Sequence, residues 1–390
     1  MANNILFPDW NNSILNVAAT FSNYLGVPNH APKIRVLEEE LKKKYKNVVF
    51  IIFDGMGMNV LNQHLSSDDI LLKQNKTSIT STLPSTTATA TRTLMTAKKP
   101  IEHGWLGWSM YFKQHDKVVE IFSGKDFYTR EKVLEPNFIM ENFPITAFYC
   151  DKNVSKDIDI YTCFPQFVDV GISKHHFIAN EPNDLFTQIK NICNMDGKKF
   201  VYCYNGQPDN DMHRNGVSSD KTKKAIRYIN DSIEKLHQDC PDTLFVITAD
   251  HGHIDILGSL EIYKDKALMD CLKTPISIET RFACFNIKRG MKNTFKKLFS
   301  KYNADFELFR SADLIKRGFF GETKNHHYQK FLGDYIAIGK ATNKMISFFN
   351  GMRDNRGKYL FRGAHSGFTK EEMQVPLILI SKKVNHTSLS

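Results

Sequence analysis

The chain has 390 residues, of which 42% are hydrophobic and 24% charged, and its formal net charge is +10. This length exceeds the size at which one hydrophobic core usually stops growing, so we expect one large domain with an insertion, or two domains. The composition excludes collagen-like, low-complexity and intrinsically disordered proteins, and lysines spread along the whole chain indicate a solvated surface rather than a nucleic-acid-binding face.

The lengths of the apolar runs and the pattern of the cysteines indicate the cellular compartment of the protein. No apolar run approaches the roughly 18–20 residues of a membrane helix, and the N-terminal segment lacks the basic and apolar regions of a secretory signal. The seven cysteines form no CxxC pair, and some lie in apolar, strand-like runs, as Cys203 does. An odd, scattered set of this kind is typical of free buried thiols. We therefore expect a cytoplasmic protein that does not act at a membrane.

Three apolar runs each lead into polar residues that are able to bind metal ions. The runs are 47–53, 199–204 and 243–248, and the polar residues after them are Asp54, Asp209 and the pair Asp250-His251. Continuous apolar runs of this length are typical of buried parallel strands. An amphipathic helix that Ser219 or Asp220 is able to cap separates the last two runs, as in α/β folds. Because ligands bind at the carboxyl ends of such strands, we predict a site at this edge.

A long segment between His251 and His365 has its own alternation of strand and helix patterns. The expected elements are strands at 281–287 and 334–339 and a helix at 291–302. We therefore predict an inserted α/β cap subdomain at 256–345 and a catalytic core formed by 1–255 and 346–390.

The candidate metal ligands are stronger evidence for a metal site together than each is alone. An isolated aspartate after a strand is more often a turn former than a ligand. Here several carboxylates and imidazoles occur together, a combination that suits zinc or manganese. The candidate ligands are Asp54, Asp209, His213, Asp250, His251 and His365. We expect the remaining histidines, including His253, to be surface or packing residues.

Residues 77–91 are rich in threonine and serine and predict the start of a helix. Pro84 interrupts an extended segment, Ser85 or Thr86 is able to cap the helix, and small residues after Thr87 continue it. A hydroxyl at a helix N-terminus lies beside unpaired backbone N–H groups, which favour phosphate and alkoxide. A threonine hydroxyl is a poor nucleophile at neutral pH, so a metal ion is needed to stabilise its ionised form.

Six short motifs together resemble those of a known family. They are Asp54-Gly-Met-Gly57, Leu83-Pro-Ser-Thr-Thr-Ala-Thr-Ala90, Glu102-His-Gly104, Pro208-Asp-x3-His213, Thr248-Ala-Asp-His-Gly252 and Ala364-His-Ser-Gly367. In this order they resemble the type I phosphodiesterase and nucleotide pyrophosphatase branch of the alkaline phosphatase superfamily, over about 47–380. The resemblance implies a layered α/β fold in which helices flank a central, mostly parallel sheet. It also implies a two-metal hydrolase of small phosphoester or nucleotide-like substrates.

The resemblance also implies a role for each candidate residue. Asp54, Thr87, Asp250 and His251 would surround one metal ion, and Asp209, His213 and His365 would hold the second. Zinc is expected at both positions, with manganese as the alternative. Thr87 would be the nucleophile and would form a phosphothreonine intermediate that water hydrolyses.

The choice of nucleophile depends on how the motif is aligned. In the family the nucleophile opens a helix and precedes a Thr-Gly pair, and counting ten residues back from Ala97 reaches Thr87. Alanine at 97 departs from the family glycine. Alignment on a Thr-x-Pro pattern selects Thr82 instead, and Thr86 is one residue away. Thr87 is the favoured candidate of the three.

A second departure from the family pattern concerns the substrate. Where nucleotide-cleaving relatives have a phosphate-binding asparagine, this chain has Trp108. That indole either stacks on a base or packs in the core.

A phosphomonoesterase on the same metals and, more distantly, a phosphomutase are the alternative enzymes. A basic nucleic-acid-binding protein is the non-enzyme alternative, but it leaves the six clustered ligands unexplained, and we expect no stable nucleic-acid complex.

Overall fold

The computed structural model describes residues 4–135, 138–144, 146–322, 327–352 and 361–382 of the chain. The strands are β1 (Asn47–Phe53), β2 (Asn75–Thr80), β3 (Ser109–Phe112), β4 (Lys117–Glu120), β5 (Ile158–Phe164), β6 (His175–Ile178), β7 (Lys198–Asn205), β8 (Thr243–Thr248), β9 (Ile254–Asp255), β10 (Gly258–Leu260), β11 (Ser277–Glu279), β12 (Phe282–Phe285), β13 (Phe306–Arg310), β14 (Tyr335–Gly339), β15 (Lys344–Ile346), β16 (Gly363–Ala364) and β17 (Gln374–Lys382). The helices are α1 (Ile14–Tyr24), α2 (Arg35–Leu41), α3 (Met58–His64), α4 (Ile70–Lys73), α5 (Thr87–Thr96), α6 (Pro100–His103), α7 (Phe138–Asn142), α8 (Pro182–Asn194), α9 (Asp209–Asn215), α10 (Asp220–Asp239), α11 (Lys266–Met269), α12 (Lys292–Phe299), α13 (Ser311–Lys316) and α14 (Lys370–Met373).

The larger sheet has the strand order β2-β17-β8-β1-β7-β5-β6. Its strands β8, β1, β7, β5 and β6 run parallel, whereas β17 is antiparallel to both of its neighbours. Every residue of β1 is buried, as expected for a continuous apolar run in the centre of a covered sheet. The prediction of a central, mostly parallel sheet is therefore confirmed.

Helix α10 confirms the capped helix that the sequence predicts between two sheet strands. It begins after Ser219, whose hydroxyl oxygen accepts the backbone N–H of Thr222 at 3.2 Å. Its apolar stripe is buried from Ile226 to Leu236. Helix α8 packs against β5 and β7, and α1 packs against α5, so helices and sheet share one large core.

A smaller, antiparallel sheet has the strand order β13-β14-β12-β11-β3-β4. The elements expected at 281–287, 291–302 and 334–339 are present as β12, α12 and β14; the first two are a few residues shorter than expected, and β14 is one residue shorter. This sheet combines β11 to β14, which lie within 256–345, with β3 and β4, which precede that segment. The division into a core and a cap at 256–345 stays a prediction.

A buried ion pair connects the smaller sheet to the chain after His365. The guanidinium of Arg281 donates from Nε and Nη2 to the carboxylate of Glu372, at 2.7 and 2.9 Å, and neither side chain is exposed. Glu372 also accepts the backbone N–H of Gly367 at 2.8 Å. The pair thus fixes the loop that carries His365.

The structure also addresses two expectations from the sequence, which concern membrane-spanning helices and the state of the cysteines. Among the helices of the described ranges, none combines the length and the apolar character needed to cross a membrane. All seven cysteines are free, as expected. Six of them are buried, and Cys150 is the exposed exception, because it ends a short 3-10 helix at the surface.

Candidate functional site

The carboxyl ends of the three central strands meet at one edge of the larger sheet. In the parallel register, Phe53 of β1 lies beside Asn205 of β7, and Ile52 lies beside Thr248 of β8. The residues that follow these strands are therefore brought together. The backbone N–H of Asp209 donates to the carbonyl of Asp54 at 3.1 Å.

Two overlapping groups of candidate metal-ligand atoms lie at this edge. One group contains Asp54, Asp209 and His251, and the other contains Asp209, His213, His253 and His365. In each group the ligand atoms all lie within 4.8 Å of one another. The structure thus brings together the carboxylates and imidazoles singled out from the sequence, and it adds His253.

His251 is the centre of the first group. Its Nε2 lies 3.2 Å from Asp54 Oδ1 and 3.5 Å from Asp250 Oδ2, and the other ring nitrogen donates to the carbonyl of Gly252 at 2.9 Å. Asp250 accepts the backbone N–H of Gly55 at 3.1 Å through Oδ1. Asp250 Oδ2 is buried without a hydrogen bond, as an oxygen directed at a cation would be.

Asp209 is the centre of the second group. Its Oδ2 lies 3.3 Å from His213 Nε2, and its Oδ1 lies 3.8 Å from His365 Nε2. The Nδ1 atoms of these histidines donate to the carbonyls of Gly363 and Ser85, both at 2.9 Å. A carbonyl bond at Nδ1 leaves the Nε2 lone pair facing inward, which is the arrangement of metal-binding histidines.

The electrostatics of the site favour a bound cation. Burial and the charge of Asp209 raise the pKa of Asp54, and burial and the charge of Asp54 raise the pKa of Asp250 well above its ordinary value. Burial acts to lower the pKa of His251, but Asp250 and Asp54 outweigh it and raise the pKa to about 10. Burying several ionised carboxylates together costs free energy unless a cation offsets their charge. The residues therefore fit divalent metal ions.

The three candidate hydroxyls have different partners. Helix α5 begins at Thr87, whose Oγ1 lies 3.1 Å from His251 Nε2 and 3.4 Å from both carboxylate oxygens of Asp54. The hydroxyl of Thr82 instead donates to the carbonyl of Pro84 at 2.9 Å. The Thr86 hydroxyl donates to Glu279 at 2.5 Å. Among these three, Thr87 alone contacts the metal-binding groups, and its catalytic role stays a prediction.

Glu279 was not anticipated from the sequence. Its Oε1 accepts the Thr86 hydroxyl and the backbone N–H of Trp108, the latter at 2.9 Å, and burial raises its pKa to about 7. The preceding Ile278 has a φ of +82°, a conformation that β-branched residues rarely adopt. The smaller sheet thus fixes a carboxyl group beside the start of α5. Its strand has no local pattern that distinguishes Glu279 from a surface glutamate.

Tyr204 is a second residue that the sequence did not reveal. Its hydroxyl donates to Asp54 Oδ2, and its side chain is buried at the end of β7. The only local signal is its position in a strand that leads to Asp209. The contact orients the Asp54 carboxylate and leaves Oδ1 directed at His251.

A cavity of about 570 Å³ opens beside Thr87 and the metal-binding groups. Aromatic side chains form much of its wall, and the loop after α6 supplies Trp108. That indole is 36% exposed and lies 5.3 Å from the ring of Phe122. Trp108 therefore faces the cavity and is not enclosed in a core. The cavity wall includes Trp105, Trp108, Phe122, Phe127, Phe349 and Phe361.

The Glu102-His103-Gly104 motif has a packing role. His103 is fully buried, and its Nε2 lies 2.9 Å from the Thr93 hydroxyl. Gly104 has a φ of +79°, and a Cβ atom there would lie 2.7 Å from the ring of Tyr328. The motif thus fixes the end of α5 against its neighbours.

Comparisons with known proteins agree with this fold. The family model described as type I phosphodiesterase / nucleotide pyrophosphatase matches residues 48–336. No curated protein matches the chain.

Among solved structures, human ectonucleotide pyrophosphatase / phosphodiesterase 5 is similar, with 16% identity, a TM-score of 0.62, and coverage of 86% of this chain and 87% of that one. An inactive variant of the murine protein in complex with AMP has 15% identity and a TM-score of 0.57, with 85% and 87% covered. Phosphonoacetate hydrolase from Sinorhizobium meliloti 1021 in complex with phosphonoacetate has 11% identity and a TM-score of 0.59, with 87% and 91% covered. These similarities show a common fold.

Proposed function

Because the chain belongs to the type I phosphodiesterase / nucleotide pyrophosphatase family and is thus a phosphoester-hydrolysing enzyme, we propose that it cleaves phosphodiesters or nucleotide pyrophosphates with Thr87 as nucleophile. The observation that carries this proposal is the position of one hydroxyl. Thr87 Oγ1 lies at the first residue of α5 and within 3.4 Å of Asp54 and His251. A hydroxyl so placed is next to both the metal-binding groups and the helix N-terminus.

We assign two divalent metal ions to this edge of the sheet. The first would be held by Asp54, Thr87, Asp250 and His251, and the second by Asp209, His213 and His365. When bound, the ions would lower the pKa of the Thr87 hydroxyl and neutralise charge on the transferred phosphoryl group. Mixed imidazole and carboxylate ligands favour zinc, with manganese as the alternative. The unpaired buried oxygens of Asp209 and Asp250 support the assignment.

The residues of the chain account for the course of the reaction. The Thr87 hydroxyl gives its proton to a water molecule, and its Oγ1 forms a bond to phosphorus while the ester bond on the opposite side breaks. The leaving oxygen takes a proton from water. The first N–H groups of α5 have no partner within the helix and face the anionic phosphoryl oxygens. A water molecule then attacks the phosphothreonine, which releases the second product and restores the hydroxyl.

The aromatic cavity supports a diester as substrate. A phosphodiester carries two organic substituents, and an aromatic wall near the nucleophile buries an apolar or aromatic one favourably. Trp108 is exposed to this cavity and would stack on a base. The inactive variant of murine ectonucleotide pyrophosphatase / phosphodiesterase 5, which has the same fold, was solved in complex with AMP. A nucleotide-like substrate is consistent with that complex. A monoesterase would use the same metals but would leave this wall without a partner.

The test compares three chromogenic substrates on the purified enzyme: bis-p-nitrophenyl phosphate, p-nitrophenyl phosphate and a nucleotide p-nitrophenyl ester. We expect kcat/KM for the two diesters to exceed that for the monoester by about tenfold or more, the discrimination that filling an apolar pocket provides. The Trp108→Ala variant should raise KM for the nucleotide ester more than for bis-p-nitrophenyl phosphate. A higher kcat/KM for the monoester would replace this proposal by a phosphomonoesterase.

We also propose a cytoplasmic location. All seven cysteines are unpaired, and proteins of oxidising compartments more often use their cysteines in disulfides.

A further inference from the structure

His253 is a buried histidine outside the two ligand sets assigned above. Its side chain has no solvent exposure, and neither of its ring nitrogens has a hydrogen bond. Its Nε2 nevertheless lies 3.2 Å from Asp209 Oδ1, an oxygen that is itself buried without a hydrogen bond. Buried polar atoms are nearly always paired, so an unpaired imidazole beside an unpaired carboxylate oxygen indicates a missing common partner.

The backbone places this imidazole opposite a proposed ligand. Strands β9 and β16 pair in antiparallel register, Gly363 with Asp255 and Ala364 with Ile254. The next facing positions in this register are His365 and His253, and their ring centroids are 5.4 Å apart. The register thus directs two imidazoles into the same space.

The surrounding residues leave room for the ring. A Cβ atom on Gly363 would lie 2.6 Å from Cε1 and 2.8 Å from Nδ1 of His253, so any larger residue there would displace the imidazole. The carbonyl of the same glycine accepts Nδ1–H of His213, whose ring centroid is 4.7 Å from that of His253. One glycine therefore positions two histidines.

We propose that His253 is a fourth protein ligand of the second metal ion, together with Asp209, His213 and His365. Their four ligand atoms all lie within 4.8 Å of one another. The inference rests on the proposed two-metal function and extends it by one ligand.

A consequence is that the two metal positions differ in chemistry. The second would have three imidazoles and one carboxylate, whereas the first would have the carboxylates of Asp54 and Asp250 with a single imidazole. Imidazole ligands favour zinc over magnesium and calcium, and sets of four protein ligands are typical of firmly held zinc. We therefore expect the second position to bind zinc more tightly than the first.

The experiment measures zinc binding and does not depend on turnover. Metal-free full-length protein is titrated with zinc in competition with a chromogenic chelator. The wild type should bind two zinc ions, one more tightly than the other. His253→Ala should weaken the tighter site by about tenfold or more, since even changes to groups that only support a ligand cost 10–100-fold.

The matched control is His64→Ala. His64 is also a buried histidine, but its Nε2 is bonded to the carbonyl of Val217 at 2.8 Å and it belongs to neither group of metal-binding atoms. His64→Ala should leave both zinc affinities unchanged. Unchanged affinities in His253→Ala, with two ions still bound, would overturn the assignment of His253 and leave the two-metal function intact. Fewer than two zinc ions in the wild type would instead overturn the proposed function.

A measurement on the wild type makes the test independent of how the variant folds. The protein is loaded with one equivalent of zinc, and the number of imidazole ligands is determined by X-ray absorption at the zinc edge. Three imidazoles are expected. Two would overturn the proposal, even if His253→Ala failed to fold.

Discussion

Replacement of Glu372 by methionine should destabilise the protein far more than loss of a comparable surface ion pair. The variant removes one partner of the Arg281–Glu372 pair, in which neither side chain is exposed. Glu372 also accepts the Gly367 N–H and the Thr369 hydroxyl, both at 2.8 Å. Methionine leaves these donors without their acceptor and leaves the guanidinium, which still donates to the carbonyls of Lys340 and Lys344, buried without a negative counter-charge. Removing one member of a buried pair costs about 3–5 kcal/mol.

This cost converts into a measurable shift of the melting temperature. With an unfolding entropy of ~2.1 cal/mol/K per residue, a chain of 390 residues should lose about 4–6 °C in Tm. Differential scanning calorimetry measures the shift. The matched control is Asp313→Asn, because Arg310 and Asp313 form the same type of two-bond pair with side chains that are 67% and 45% exposed. A pair so exposed contributes about 0–1 kcal/mol.

Two further measurements sharpen the prediction. The double variant Arg281→Met/Glu372→Met removes both charges and should recover part of the lost stability. Burial acts to raise the pKa of Glu372, but Arg281 outweighs it and lowers the pKa. The contribution of the carboxylate is thus full above its unfolded pKa of about 4.3 and is lost as the pH falls further. The Tm difference between wild type and Glu372→Met should therefore narrow in acid. A Tm loss no larger than that of Asp313→Asn would refute the reasoning.

Three other variants test the site and the helix that carries the proposed nucleophile. Thr87→Ala should abolish turnover in the chromogenic assay while elemental analysis still finds bound metal, and loss of turnover in Thr82→Ala instead would transfer the role to that residue. Tyr204→Phe removes the hydroxyl that donates to Asp54 and should weaken one zinc site by about 10–100-fold in the chelator titration, as loss of a supporting hydrogen bond does; an unchanged titration would contradict it. Ala97→Gly should raise the free energy of unfolding in urea by about 1 kcal/mol, because Ala97 has a φ of +51° and the left-handed conformation costs alanine about that much. An unchanged free energy of unfolding would show that the backbone at Ala97 is not strained.

The larger sheet was predictable because its determinants are local. The apolar run of β1 is seven residues long and entirely buried, and such a run specifies a covered parallel strand without reference to the rest of the chain. The topological rule that parallel strands present their carboxyl ends at one edge then brings Asp54, Asp209 and Asp250 together. The position of each aspartate relative to its own strand was sufficient for this step.

Other parts of the site depend on contacts that have no local signature. Glu279 is beside Thr86 because β11 belongs to a different sheet, and 193 positions of sequence separate the two residues. The partner of Tyr204 is 150 positions away. His253 was expected to be a surface or packing residue because a single histidine after a glycine has no distinguishing pattern. Only the pairing of β9 with β16 places it opposite His365.

The count from Ala97 back to Thr87 has a physical basis that the structure makes clear. Helix α5 runs from Thr87 to Thr96, and the extended Thr86 before it and the left-handed Ala97 after it fix its two ends. A glycine is favoured directly after a helix because it adopts positive φ without strain. The family glycine therefore marks the end of a helix whose length sets the distance to its first hydroxyl. Alanine at 97 keeps that length with some strain, so the departure affects the stability of the helix end and not the position of Thr87.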